Sequence, residues 1–195
     1  MKPLYWIAVG LCLLMLVART ESGFDIYSDA VGWVFILAGL RMLVRERTDL
    51  PLQQLLWALG GIALVIAAIR VAPDVDAWVR DTDAEAGSDE RVFRVWADIP
   101  ALAFQALLAH VLAAEATLAD ARGGRVFWRI VEVGLVVGTL AAGLFAVNDA
   151  DWLAATAEVG FAGVLLCMFG CLIFGSRAWA GGGPPPQLRP RERRR

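Results

Sequence analysis

One histidine and one lysine stand in a chain of 195 residues. His110 alone excludes a bis-histidine haem site within one chain. Lys2 leaves every other basic residue as arginine, the bias expected of a high-GC bacterial genome. Cysteine is sparse too. Cys12, Cys167 and Cys171 all fall inside apolar runs, where a thiol behaves as a small apolar side chain, so no disulfide framework is implied. Cys167 and Cys171 are four apart and form no C-x-x-C pair. The chain has no phosphate loop, no H-E-x-x-H, no G-x-S-x-G and no dinucleotide fingerprint. The acidic-glycine spacing of membrane alcohol phosphotransferases is missing as well. Catalysis thus has no support, and no cofactor, metal or nucleic-acid partner is expected. Nor is there a polar stretch long enough for a separate soluble domain.

What is present is apolar sequence in blocks. Hydrophobic residues make up 58% of the chain, and the mean hydropathy is +0.60. The blocks have the length needed to cross a hydrocarbon layer of ~30 Å. They predict an all-α polytopic bundle of six transmembrane helices over about 3–18, 29–44, 51–71, 98–118, 126–147 and 152–175. The first block could be mistaken for a signal peptide. No A-x-A site precedes a plausible cleavage point, and Leu11 spoils a lipoprotein box before Cys12, so a retained helix is expected. Pro51 is expected in the first turn of the third helix, where its missing N–H is harmless. Gly123-Gly124 is expected to supply the left-handed turn between the fourth and fifth helices. An acidic loop spans 72–97, and a disordered basic tail fills 178–195.

Charge sorting orients this bundle. With the N-terminus inside, the inner segments hold Lys2, Arg41, Arg45, Arg47, Arg122, Arg125, Arg129, Arg177 and five tail arginines. The outer segments hold Arg19, Arg70, Arg80, Arg91 and Arg94, a division of 13 against 5 among the 18 basic residues. Both termini are therefore expected in the cytoplasm. The tail arginines serve as a topology signal or as an anchor on anionic lipid.

Candidate functional residues fall into three groups. Asp29, Asp98 and Asp151 sit at or beside the outer starts of the second, fourth and sixth helices. There they would cap free N–H groups or, with Asp25, form an acidic vestibule for cations. Gln105, His110, Glu132 and Glu158 lie within apolar blocks, where ionisable groups are a functional hypothesis by default. Glu132 is three residues from Arg129, in reach of a local pair. His110 is expected to bond between helices. The third group is two rows of small residues, Gly134, Gly138 and Ala142 on one helix and Gly163, Cys167, Cys171 and Gly175 on the next, spaced for close helix packing.

At Phe24 to Leu40 the chain resembles a loosely defined set of small bacterial integral membrane proteins. The matching residues are Asp25, Ile26, Ser28, Asp29, Val31, Gly32 and Trp33, with Ser28 where proline is more usual. This resemblance implies a fold neighbourhood and no activity. The six-helix layout with both termini inside is also similar to the substrate-binding component of energy-coupling-factor vitamin transporters, although no motif carries that likeness. The leading expectation is a non-enzymatic accessory or structural subunit of a membrane complex or a homo-oligomer, packed through the small-residue rows. A small-solute or cation transporter is the alternative, and a membrane-embedded enzyme ranks third.

Overall fold

Apolar blocks interrupted by charge and proline give helices separated by polar connections. In the computed structural model, which describes residues 2–16, 29–47, 50–70, 88–148 and 151–182, they form six helices and no strand. Side chains at 88–96, 142, 145–148 and 151–161 lie outside that description. The helices are α1 (Pro3–Met15), α2 (Asp29–Glu46), α3 (Gln53–Arg70), α4 (Ser88–Leu118), α5 (Arg122–Asn148) and α6 (Asp151–Phe174), followed by a 3-10 turn at Ala178–Ala180.

Each helix packs against its neighbours in the chain, and α6 returns to α1, closing a ring. The α1–α2 contact is made by glycines. A Cβ on Gly10 would stand 2.5 Å from the Gly32 carbonyl oxygen, and one on Gly39 would stand 2.7 Å from the Pro3 carbonyl oxygen. Backbones at that distance maximise dispersion contact, which is what holds helices together when water is not the competitor. Leu4, Ile7, Leu11, Leu40, Leu108 and Leu112 form part of one continuous core, and Trp33 meets Phe104 edge to face at 5.3 Å.

Polar contacts mark the two ends. At the end holding both termini of the described chain, Arg47 pairs with the buried Glu115 at 3.3 Å and donates to the Ala178 carbonyl at 2.8 Å. Lys2 donates there to the Ser176 carbonyl at 3.4 Å. At the far end Arg70 pairs with Asp98 at 2.9 Å.

Several boundaries differ from expectation. The fourth helix begins at Ser88, so ten residues read as acidic loop are helical, and Asp98 lies inside α4 instead of at its start. Pro100, also inside α4, cannot donate to the carbonyl four residues before it. Pro51 precedes α3 in a turn where Leu52 has φ 57°, a left-handed conformation that strains a leucine. Gly123 and Gly124 are helical. The left-handed residue of that connection is Asp120, at φ 53°, a residue type that tolerates it. Gly124 is small for another reason: a Cβ there would stand 2.7 Å from the Trp179 ring. Residues 178–182 do not join the tail. Ala180 is fully buried, and Trp179 packs on Phe174 at 5.4 Å. Residues 183–195, 71–87 and Asp25 lie outside the described residues.

Among the described residues, two helical stretches are long and apolar enough to cross a membrane, Gln53–Arg70 and Ala97–Leu118. Two further apolar stretches, Pro3–Met15 and Ala162–Phe174, are shorter. α1 has 13 residues, about 20 Å at 1.5 Å per residue. α2 carries Asp29, Arg41, Arg45 and Glu46 within its 18 residues. A core helix of a water-soluble protein passes the same test of length and hydropathy, but it hides its apolar residues. α3 does the opposite: Leu55, Ile62, Val65 and Ile69 are each about half exposed. The same outward apolar surface continues over Val133, Val137 and Leu140 of α5 and Phe169 and Ile173 of α6.

Candidate functional site

A cavity of about 300 Å³ opens at the far end of the ring. All six helices line it: Leu14 from α1, Asp29 and Trp33 from α2, Ala63, Ala67 and Arg70 from α3, Asp98, Ala101, Leu102 and Gln105 from α4, Gly138 from α5 and Val164 from α6. The space exists because small residues face it from three helices. Asp98, Ala101, Leu102 and Gln105 follow the spacing that puts side chains on one helix face. α4 thereby presents a carboxylate at the rim and an amide below it. Among the charged side chains lining the cavity, two are carboxylates and one is a guanidinium.

Gln105 is 3% exposed, and its Oε1 has no hydrogen-bond partner among the described residues. A buried amide oxygen left unpaired is destabilising by about 1–3 kcal/mol. The oxygen and nitrogen of Gln105 are interchangeable by a flip, so the side chain can offer either a donor or an acceptor to whatever fills the cavity.

A second polar cluster lies on another face of α4, nearer the end that holds the termini. His110 Nδ1 is 2.8 Å from Glu132 Oε1, and Arg129 Nη1 donates to Glu132 Oε2 at 2.7 Å. Arg129 also lies 3.3 Å from His110 Nδ1. A nitrogen that donates to Glu132 cannot accept from Arg129, so the shorter contact fixes the proton on Nδ1 and the longer is mere proximity. The expected Arg129–Glu132 pair is present, and His110 bonds between helices as anticipated. The cluster borders a lateral groove of about 440 Å³ between α3, α4 and α5, lined mainly by leucine, valine and alanine.

The polar candidates of the apolar blocks that are described thus do not form one site. His110 and Glu132 meet, Gln105 belongs to the far-end cavity, and the Glu158 side chain lies outside the described residues. Of the outer aspartates, Asp29 and Asp98 line one cavity, Asp151 begins α6, and Asp25 is outside the described residues. Asp98 acts as the partner of Arg70, not as a cap.

The small-residue row on α6 faces inward. Cys167 and Cys171 are fully buried, a Cβ on Gly163 would stand 3.0 Å from Leu135, and one on Gly175 would stand 2.6 Å from Tyr5. On α5, Gly138 is buried and lines the cavity, whereas Gly134 has open space beside it, and the Ala142 side chain lies outside the described residues. Two cavity-lining residues were not among the site candidates: Trp33, which entered only through the resemblance, and Arg70, which was counted among the outer basic residues. The signal available for Arg70 was its position as the last residue of an otherwise uncharged helix.

No protein-family model, curated protein or solved structure matches the chain.

Proposed function

We propose that the protein is a six-span bundle of a bacterial cytoplasmic membrane that takes a small cationic, hydrogen-bonding solute into its far-end cavity, either to move it or to hand it on. The observation that carries this reading is the Gln105 Oε1, buried without a partner among the described residues in a cavity whose rim holds Asp29, Asp98 and Arg70. With Arg70 paired to Asp98 the rim has one carboxylate in excess, which favours a cation, and the amide offers the one hydrogen bond that an apolar floor otherwise lacks. The membrane reading draws support from the outward apolar surface of α3, α5 and α6 and from the basic residues gathered at the end that holds the termini. In this orientation the cavity opens away from the cytoplasm. The stretch around Asp29 to Trp33 that resembles small bacterial membrane proteins then forms part of the cavity wall.

An accessory-subunit role had its motive in the rows of small residues. The α6 row is spent on packing within the chain, which leaves the solute-binding role better supported.

The test is the thermal stability of detergent-purified protein with ammonium, methylammonium or ethanolamine, against methanol, ethylene glycol and acetate at equal concentration. Stabilisation by the amines alone, lost in Asp98→Asn and in Gln105→Leu, is the expected result. Equal response to all six probes would reject a cation site.

A further inference from the structure

Three arginines of α5 share one edge of its exposed face. Arg122, Arg125 and Arg129 are spaced three and four apart, and Glu132, Val136, Thr139 and Leu140 continue the same stripe. Arg122, Arg125 and Arg129 are all exposed. Arg129 is engaged by Glu132, while Arg122 and Arg125 make no side-chain hydrogen bond or ion pair with a described residue. The stripe runs straight into the lateral groove, where Val136, Thr139 and Leu140 form one wall, Ala106 and Leu107 of α4 the floor, and Leu55 of α3 the other wall. Thr139 spends its hydroxyl on the Leu135 carbonyl at 2.6 Å, so the upper groove is effectively apolar.

We propose that this stripe and groove bind one anionic phospholipid, with its phosphate on Arg122 and Arg125 and an acyl chain in the groove. The inference rests on the membrane reading above but not on the far-end cavity. Charge and length both argue for this occupant. From Arg129 to Leu140 is eleven residues, or about 16 Å along the helix, close to the depth of one leaflet of a ~30 Å hydrocarbon core. The arginines lie beyond that length, at the level where headgroups stand, on the end that also carries Arg47 and Arg177. On the stripe itself Glu132 is the one opposing charge, and the exposed Asp120 lies two residues before Arg122. Glu132 is already held by Arg129 and His110, which keeps it from facing the phosphate. A soluble anion would use the arginines and leave the groove empty, whereas a neutral lipid would use the groove and ignore the arginines.

The experiment is native mass spectrometry of the full chain released from detergent, after incubation with phosphatidylglycerol, phosphatidylcholine or inorganic phosphate. Phosphatidylglycerol should remain bound in a one-to-one complex in preference to phosphatidylcholine, and inorganic phosphate should leave no adduct. Each of Arg122→Gln and Arg125→Gln should weaken the complex roughly fivefold. Leu107→Trp, which fills the groove without altering charge, should weaken it as well. Circular dichroism confirms that each variant is folded, and Arg41→Gln serves as a charge control outside the stripe. Equal retention of the two lipids, or equal loss from Arg41→Gln and Arg125→Gln, would overturn the site. Protein that is soluble without detergent would instead overturn the membrane reading beneath it.

Discussion

At the scale of single residues, the glycines separate into two kinds. Gly10 lies against the Gly32 backbone, and a methyl group there has nowhere to go. Gly61 sits in α3 with nothing within 4 Å of where its Cβ would be. Gly10→Ala should therefore destabilise the purified protein by about 1–3 kcal/mol through overpacking. Gly61→Ala should stabilise it by up to about 1 kcal/mol through helix propensity alone. Unfolding midpoints in one detergent check both, and midpoints that moved together would mean that the α1–α2 seam is not close-packed. Gln105 makes the opposite case, a residue kept at a loss. Gln105→Leu removes a buried amide whose oxygen lacks a partner among the described residues and should raise the midpoint of the solute-free protein while abolishing the amine response. A lowered midpoint would mean that the amide has a partner and is structural. The sequence could place Gln105 and His110 within apolar helices, but it could not tell that they face different ways. That depends on the rotation of α4 about its axis, which its neighbours set. The Arg129–Glu132 pair was legible because it is local, three residues along one helix. The Arg70–Asp98 pair was not, because it joins two helices across the longest connection in the chain.

At the scale of elements, the six apolar blocks were legible from length and composition, and the errors sit at their ends. The sequence between 88 and 97 carries acidic residues that read as loop, yet α4 continues through it. Charge marks where a helix leaves an apolar setting, not where its hydrogen bonds stop. Gly123-Gly124 misled in the other direction, because a glycine pair signals either a turn or a close approach, and here Gly124 makes room for Trp179. This second use yields a prediction. The 3-10 turn at Ala178–Ala180 is held by Trp179 on Phe174, by the Arg47 side chain on the Ala178 carbonyl, and by Gly181 in a left-handed conformation at φ 78°. Trp179→Ala should release that segment at a loss of about 2 kcal/mol, the gain from burying one large apolar side chain. Limited proteolysis should then cut after Arg177 in the variant and not in the parent. Equal cutting in both would show that the aromatic contact does not hold the turn.

For the whole molecule, the open question is which solvent the exposed apolar surface meets. Among the described residues two helices are long and apolar enough to span, and taken alone they fit a soluble protein with two core helices. α3 argues against that alternative, because it is uncharged up to Arg70 and is the less covered of the two. Placed in water, α3, α5 and α6 would each present half-exposed apolar side chains to solvent, which a soluble surface ordinarily limits. Placed in lipid, they need no covering, and the charges at the helix ends fall where headgroups would be. The membrane reading therefore predicts that the chain stays in the membrane fraction after alkaline carbonate extraction and requires detergent for release. It further predicts that a fluorescent reporter fused after Arg195 lights up in the cytoplasm, while an alkaline phosphatase fused there stays inactive. A phosphatase inserted between residues 76 and 77, in the connection between α3 and α4, should be active. An active phosphatase after Arg195 would invert the bundle and turn the far-end cavity toward the cytoplasm. Release by carbonate would remove the bundle from the membrane altogether and leave the exposed face of α3 as an interface between protein subunits.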